Sequence, residues 1–164
     1  MPRIRILAGA LALALSGSAA AAQFDNVVVF GDSLSDNGNL FLVNYAQTVG
    51  CVLGSTCPPV TPSRFTTNPG LVAMEHVADF YGVTLSPSVL GGTDFAFGGA
   101  GVNNNTPGTP AGIPTLPQQL AQYLSATGGK ADPNALYSVW GGANDVFFNV
   151  GLAQANLITA AQVQ

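Results

Sequence analysis

The chain of 164 residues has four Lys and Arg against eight Asp and Glu, which gives a formal net charge of −4 with only 7% charged residues. This length suits a single domain, and the scarcity of basic residues excludes an extended nucleic-acid-binding surface. Hydrophobic residues make up 48% of the sequence, a content that argues against intrinsic disorder although 20 Gly and 11 Pro indicate many loops.

The start of the chain has the organisation of a secretory signal peptide. Two arginines precede an apolar run over residues 6–15, and small residues follow over 16–22. The apolar run is too short to span a bilayer as a helix, so a membrane anchor is the weaker alternative. We predict cleavage after Ala22, one exported domain over residues 23–164, and a location in the periplasm, at the outer membrane or in the medium.

The first strand is predicted over residues 23–30, which are rich in β-branched and aromatic side chains. It ends at Gly31, and the next residues, Asp32 and Ser33, are frequent helix N-cap types. Ser33 should therefore lie where a strand ends and a helix begins, at the edge of an α/β sheet where ligands bind. A hydroxyl near free backbone N–H groups suits an acyl-transfer nucleophile, although Gly-Asp-Ser by itself fits a plain turn and cap better.

The next segment is predicted to hold two helices and a long loop. Helical spacing indicates a helix over 34–47 whose start is disrupted by residues 36–39, and a second helix over 68–81 with Asn68 as its N-cap. Between them, the Pro-rich loop over 50–68 is expected to rim a ligand cleft. His76, the only histidine, lies on the second helix away from its apolar face, and we assign it no catalytic role.

Two cysteines, Cys51 and Cys57, lie in that long loop. An exported chain meets an oxidising compartment, so a disulfide between them is the default expectation and two free thiols are the alternative. A metal site is disfavoured because no histidine or further cysteine lies nearby.

The second half of the chain alternates strands and helices in the same way. A strand is predicted over 83–88, and adjacent glycines follow a short apolar run in residues 94–101, which lets backbone N–H groups approach a ligand closely. Leu116, Leu120, Tyr123 and Leu124 indicate one apolar helix face.

The last predicted strand covers 135–140 and is followed by Gly-Gly-Ala-Asn-Asp and a helical segment from Val146. The Asn144 amide after that strand could donate to a developing oxyanion, or it could cap a turn.

Together, residues 27–39, 94–101 and 141–145 closely resemble, in order, the first three sequence blocks of the GDSL esterase/lipase family, also called SGNH hydrolases. The resemblance implies a three-layer α/β/α fold with a flavodoxin-like parallel sheet. It implies Ser33 as nucleophile and an oxyanion hole formed by the Ser33 and Gly99 N–H groups and the Asn144 amide.

The same resemblance implies hydrolysis of small-molecule or lipid esters, with no metal or organic cofactor and no nucleic-acid partner. The Arg64-Phe65 pair is similar to a short element found in the family at this point. The sequence departs from the family in having Asp94 where Asn is usual.

A larger departure is that the fourth block of the family, Asp-x-x-His, has no counterpart after Asn144. In the family this histidine takes the proton from the serine, and a serine without a base is a poor nucleophile. We therefore expect a truncated form of low activity whose sheet is incomplete at the C-terminus, with membrane association only through a missing C-terminal region. The alternative is a non-catalytic binding or structural module that kept the fold.

Overall fold

The computed structural model describes residues 24–103 and 112–159, so the predicted signal peptide lies outside the described residues. None of the helices in these two ranges is long and apolar enough to cross a bilayer. The strands are β1 (Asn26–Gly31) and β2 (Ala135–Trp140), and the helices are α1 (Asn39–Val49), α2 (Ala73–Phe80), α3 (Leu116–Ala126) and α4 (Ala143–Gln154), with a 3-10 turn at Ser88–Leu90.

Strand β1 lies in the middle of a parallel arrangement. It pairs with β2 in parallel on one side. On its other side runs the segment 93–97, whose Phe95 and Phe97 N–H groups donate to the Val29 and Gly31 carbonyls at 2.7 and 3.0 Å. The central position of β1 explains its unbroken apolar sequence, because a strand covered on both faces buries every side chain.

Successive β1 side chains face opposite layers, as in any strand. One cluster of buried residues joins β1 to α2, and a second joins it to α3. The first consists of Val27, Val29, Ala78, Leu85 and Ala96, and the second of Val28, Phe30, Phe95, Tyr123 and Ala135. A helix on each face of a parallel sheet is the three-layer α/β/α architecture that the resemblance implies, and its strand order agrees with a flavodoxin-like sheet.

The predicted strand over 83–88 is wrong. This segment forms a single bridge, between Pro87 and Asp94, and then turns into the 3-10 helix. Proline has no N–H group to donate, so a ladder of hydrogen bonds cannot continue through Pro87.

Helix α2 begins at Ala73, four residues after the predicted start, because Asn68 is used otherwise. The Asn68 side chain accepts from the Arg64 N–H and donates to the Arg64 carbonyl, both at 2.8 Å, and thereby closes a loop. The helix is capped instead by Glu75, whose carboxylate accepts from the Val72 N–H at 2.9 Å.

The predicted apolar face of α3 is also partly wrong. Gln119 is fully buried, whereas Leu120 is 47% exposed. The Gln119 amide accepts from the Gly31 N–H at 2.8 Å and donates to the Gly31 carbonyl at 2.9 Å, so it pairs with the end of β1 as a neighbouring strand would. A fully paired buried amide costs little, which explains a glutamine in this place.

Candidate active site

The carboxyl ends of three parallel segments meet at one edge of the sheet. Gly31 ends β1, Trp140 lies opposite it at the end of β2, and Phe97 hydrogen-bonds to it from the other side. Glycine is required at position 31 because a Cβ would lie 2.7 Å from the Trp140 carbonyl oxygen. Each of the three predicted site residues follows one of these ends by a few residues, so the fold brings their segments together where open α/β sheets bind ligands.

Residues 32–36, the Ser33 turn, carry the candidate nucleophile. The Asp32 carbonyl accepts from the Ser35 and Asp36 N–H groups, both at 3.1 Å, and the Asp32 carboxylate accepts from the Leu34 N–H at 3.0 Å. Ser33 is partly exposed, between the buried Asp32 and the exposed Leu34. Neither its hydroxyl nor its N–H group has a hydrogen-bond partner among the described residues, so both are available to a ligand.

Residues 97–100, the Gly99 turn, follow the strand-like segment 93–97. The Ala100 N–H donates to the Phe97 carbonyl at 3.1 Å, and Gly99 has a φ of +83°. Positive φ at the third residue is the requirement of a type II turn, in which glycine is favoured. The Gly98 N–H donates to the Asp36 carboxylate at 2.8 Å. The Gly99 N–H, by contrast, has no partner within the described part of the chain.

Asn144 lies in the first turn of α4 and does not cap it, since the N-cap is Gly142. Its side-chain amide donates to the Ala100 carbonyl at 2.9 Å. The next residue, Asp145, accepts from the Val102 N–H through both carboxylate oxygens at 3.1 and 3.0 Å. The segment after β2 is therefore hydrogen-bonded to the Gly99 turn and to Val102, which follows the turn. The Asn144 amide keeps one further hydrogen to donate.

The long loop over 50–68 packs against the same edge. Cys51 and Cys57 form a disulfide within it. Arg64 makes two hydrogen bonds to the Glu75 carboxylate, at 2.6 and 2.7 Å, and thereby fastens the loop to α2. The neighbouring Phe65 ring lies against Gly98 and leaves no room there for a Cβ. Since Phe65 is itself 50% exposed, the loop forms part of the rim beside the Gly99 turn.

Two buried carboxylates stand behind the site. Burial raises the pKa of Asp36. The hydrogen bonds that its carboxylate accepts from four backbone N–H groups lower this pKa but do not outweigh the burial. Burial raises the pKa of Asp94 from 3.8 to about 8, and the charges of Asp36 and Glu75 add to the rise. Within the described ranges, no group of three or more His, Cys, Asp and Glu side chains is arranged to hold a metal ion.

The sequence interpretation missed the roles of Asp36 and Gln119. Residues 36–39 are read from the sequence only as a disruption of a helix, and Gln119 falls off the predicted apolar face. A signal for Asp36 was available in the sequence, because Asp, Ser and Asn residues follow one another over 32–37, directly after a buried strand. Side chains of these types commonly accept hydrogen bonds from nearby backbone N–H groups. His76 is exposed on α2, and no hydrogen bond joins it to the Ser33 hydroxyl.

Comparison with known proteins gives the family and its relatives. Residues 27–162 match the family model described as GDSL-like Lipase/Acylhydrolase. The chain is 35% identical to "Lipase 1" of Photorhabdus luminescens, over 84% of the chain and 18% of that protein. It is 31% identical to a phosphatidylcholine-sterol acyltransferase of Aeromonas hydrophila, over 85% of the chain and 38% of that protein.

A third relative is an uncharacterised protein of Pseudomonas putida, 34% identical over 98% of the chain and 28% of that protein. The chain therefore spans less than two fifths of the length of each of these relatives.

Proposed function

Because the chain belongs to the family of GDSL-like lipases and acylhydrolases, we propose that it carries the nucleophile and the oxyanion hole of an exported hydrolase of carboxylic or lipid esters. The observation that carries this proposal is the set of free donors at one sheet edge. The Ser33 and Gly99 N–H groups have no partner among the described residues, and the Asn144 amide has one hydrogen left after its bond to Ala100.

In the proposed reaction, the Ser33 hydroxyl attacks the ester carbonyl carbon. The carbonyl oxygen becomes an oxyanion, and the Ser33 N–H, the Gly99 N–H and the Asn144 amide donate to it. Collapse of this intermediate breaks the ester C–O bond, the leaving oxygen takes up the proton that the general base removed from Ser33 so that the alcohol departs, and an acyl group stays on Ser33. Water then attacks the acyl-enzyme through a second tetrahedral intermediate in the same hole, and the acid leaves.

Gly99 rather than its neighbour Gly98 is the proposed donor. The Gly98 N–H is occupied by the buried Asp36 carboxylate at 2.8 Å and cannot serve a substrate at the same time. Both residues belong to the same glycine pair, so sequence alone separates them only through the family alignment. The hydrogen-bond pattern supplies an independent reason for the same choice.

The proton of Ser33 needs a general base, and in the family a histidine fills this role. No histidine follows Asn144 in the chain. We therefore include in the proposal that sequence beyond Gln164 in the natural gene product supplies the Asp-x-x-His block. With the base in place, the hydroxyl becomes a competent nucleophile.

The test is hydrolysis of p-nitrophenyl butyrate by the protein expressed with all sequence that its gene encodes beyond Gln164. We expect Ser33→Ala to lower kcat by at least about 10³-fold, since removing such a nucleophile leaves only the residual catalysis of hole and binding site. Ser63→Ala, a change at an exposed loop position, is the matched control and should leave kcat unchanged. An active protein whose rate survives Ser33→Ala would refute the assignment.

A second candidate function is a non-catalytic ester-binding module. The observation in its favour is that no described histidine contacts the Ser33 hydroxyl. This candidate predicts that the full gene product binds an ester in calorimetry with no release of alcohol. Turnover that depends on Ser33 would exclude it.

A further inference from the structure

The Ser33 turn and the Gly99 turn are joined by one buried carboxylate, that of Asp36. One of its oxygens accepts from the Gly38 and Asn39 N–H groups, at 2.8 and 2.7 Å. The other accepts from the Leu40 N–H at 3.2 Å and from the Gly98 N–H at 2.8 Å. Three of these donors belong to the start of α1, and the fourth is 62 residues away along the chain.

We propose that Asp36 is a positioning residue for catalysis, which fixes the Gly99 turn so that the Gly99 N–H can serve the oxyanion formed at Ser33. The proposal rests on the proposed function, because it gives Asp36 a role in the same hole. Asp36 itself has 0% exposure and does not touch a substrate.

The Gly99 turn needs such an anchor because its middle is intrinsically adaptable. Type I and type II turns differ mainly in the orientation of the central peptide, here the one that carries the Gly99 N–H. Two adjacent glycines lower the steric barrier between such alternatives. The two ends of the turn are fixed, because Phe97 is hydrogen-bonded to β1 and Ala100 to the Asn144 amide. The interior of the turn is held by the hydrogen bond from the Gly98 N–H to the Asp36 carboxylate.

Only a carboxylate satisfies all four donors. An ionised Asp has two acceptor oxygens with about four lone-pair directions, whereas an Asn has one acceptor oxygen and an NH₂ group. In Asp36→Asn one pair of backbone N–H groups would face the new NH₂ group. The hydrogen bonds from the Gly38 and Asn39 N–H groups join neighbouring residues and are expected to persist. The hydrogen bond from the distant Gly98 N–H is the one expected to be lost.

Asp94 provides a matched control for this substitution. It is also fully buried, and its two oxygens accept from the Asn37 and Ala96 N–H groups at 3.0 and 2.9 Å. Neither donor belongs to the Gly99 turn. Asp94→Asn therefore also replaces a buried Asp by Asn, without touching the proposed anchor.

The experiment compares the wild type, Asp36→Asn and Asp94→Asn in the full gene product. We expect Asp36→Asn to speed hydrogen exchange of the Gly98 amide by at least about tenfold, because its hydrogen bond is lost. The substitution should lower kcat by roughly 10- to 100-fold and leave KM within about twofold. This loss is smaller than the roughly 10²- to 10³-fold cost of removing an oxyanion donor outright, because the Gly99 N–H is misdirected and not deleted. Asp94→Asn should change the Gly98 exchange and kcat by less than threefold. Unchanged kcat in folded Asp36→Asn, or equal losses in both variants, would overturn the proposal.

A second variant covers the case in which Asp36→Asn does not fold. Replacing Gly98 by glycolic acid through semisynthesis turns one amide into an ester, which removes the Gly98 N–H and leaves Asp36 intact. It should reproduce the loss of kcat, and full activity of this variant would also overturn the proposal. If the wild type hydrolyses no ester, the proposed function fails, and the Gly98 exchange rates then still decide whether Asp36 holds the turn.

Discussion

At the scale of the residue, the site depends on backbone groups whose direction is set by a few special positions. Gly31 permits the close approach of β2, and Gly99 adopts a φ of +83° that L-residues rarely take. Behind them, buried side chains make hydrogen bonds to main-chain groups: Asp36 accepts from the Gly98 N–H, and the Gln119 amide donates to the Gly31 carbonyl. The candidate hole thus combines two peptide N–H groups with the Asn144 side-chain amide, and buried side chains hold the peptide groups in place.

Gly99→Ala should damage catalysis far more than stability. An alanine at positive φ costs about 1–2 kcal/mol, and relief of that strain would rotate the peptide that carries the proposed oxyanion donor. We expect kcat to fall about 10²-fold. Gly82→Ala is the control, because Gly82 has a similar φ of +71° with open space around it outside the site. Equal kinetic effects of the two substitutions would contradict the assignment of Gly99.

The buried carboxylate of Asp94 should make stability depend on pH. Burial raises its pKa from 3.8 to about 8, so the folded protein binds this proton more tightly than the unfolded chain does. Its contribution to the free energy of unfolding is therefore fully present below about pH 4 and is lost as the pH rises towards 8. Urea denaturation at pH 5 and pH 9 should show that stability, relative to Asp94→Asn, falls by a few kcal/mol over this range. Parallel pH profiles of the two proteins would contradict this expectation.

At the scale of the element, the sequence predicts the strands β1 and β2 better than it predicts where helices start. The bounds of β2 follow from its pattern, since a run of mostly apolar and aromatic residues ends at a glycine pair. The start of α1 at Asn39 does not, because the Asp36 carboxylate takes the N–H groups that would otherwise begin a helix earlier. The segment 93–97 pairs with β1, yet its short length before the glycines hides it from any periodicity.

The candidate site also divides into residues that the sequence predicts and residues that it does not. The family motifs predict Ser33, Gly99 and Asn144 as site residues, and the fold brings their segments to one edge. The supporting residues cannot be found by hydrophobic pattern, because a buried Asp36 or Gln119 looks like a surface residue in any periodicity. Their partners are backbone groups up to 88 residues away, as for Gln119 and Gly31, and only the folded chain reveals them.

The attachment of the long loop to α2 depends on one ion pair. Arg64 and Glu75 are only 19% and 8% exposed, and two hydrogen bonds join them. Because breaking a largely buried pair leaves an uncompensated charge, Glu75→Gln should lower the free energy of unfolding by about 2 kcal/mol. Asp79→Asn, an exposed change on the same helix, should have little effect in the same urea titration. Equal stability of both variants would show that the pair does not hold the loop.

At the scale of the whole molecule, the last strand and the last helix of the described chain carry exposed apolar side chains. Val139 and Trp140 of β2 are 66% and 58% exposed, and Phe147 of α4 is 71% exposed. Strand β2 has β1 on one edge only among the described residues, and further sheet on its other edge stays a prediction.

These features lead to a prediction about the 164-residue chain by itself. It has the proposed nucleophile and oxyanion donors, and its single histidine is exposed on α2. A base must come within about 3 Å of the serine hydroxyl, directly or through one water. We therefore expect this chain to hydrolyse p-nitrophenyl esters at least about 10³-fold more slowly than the full gene product, as serine hydrolases do without their base.

One assay on three proteins decides this point: the 164-residue chain, its His76→Ala variant and the full gene product. Circular dichroism of each sample should first establish that the chain is folded, so that low activity is not mistaken for unfolding. His76→Ala should leave the low rate of the short chain unchanged, because His76 is exposed and no hydrogen bond among the described residues joins it to the Ser33 hydroxyl. A robust activity of the short chain that His76→Ala abolishes would show that the base is already present and that α2 supplies it.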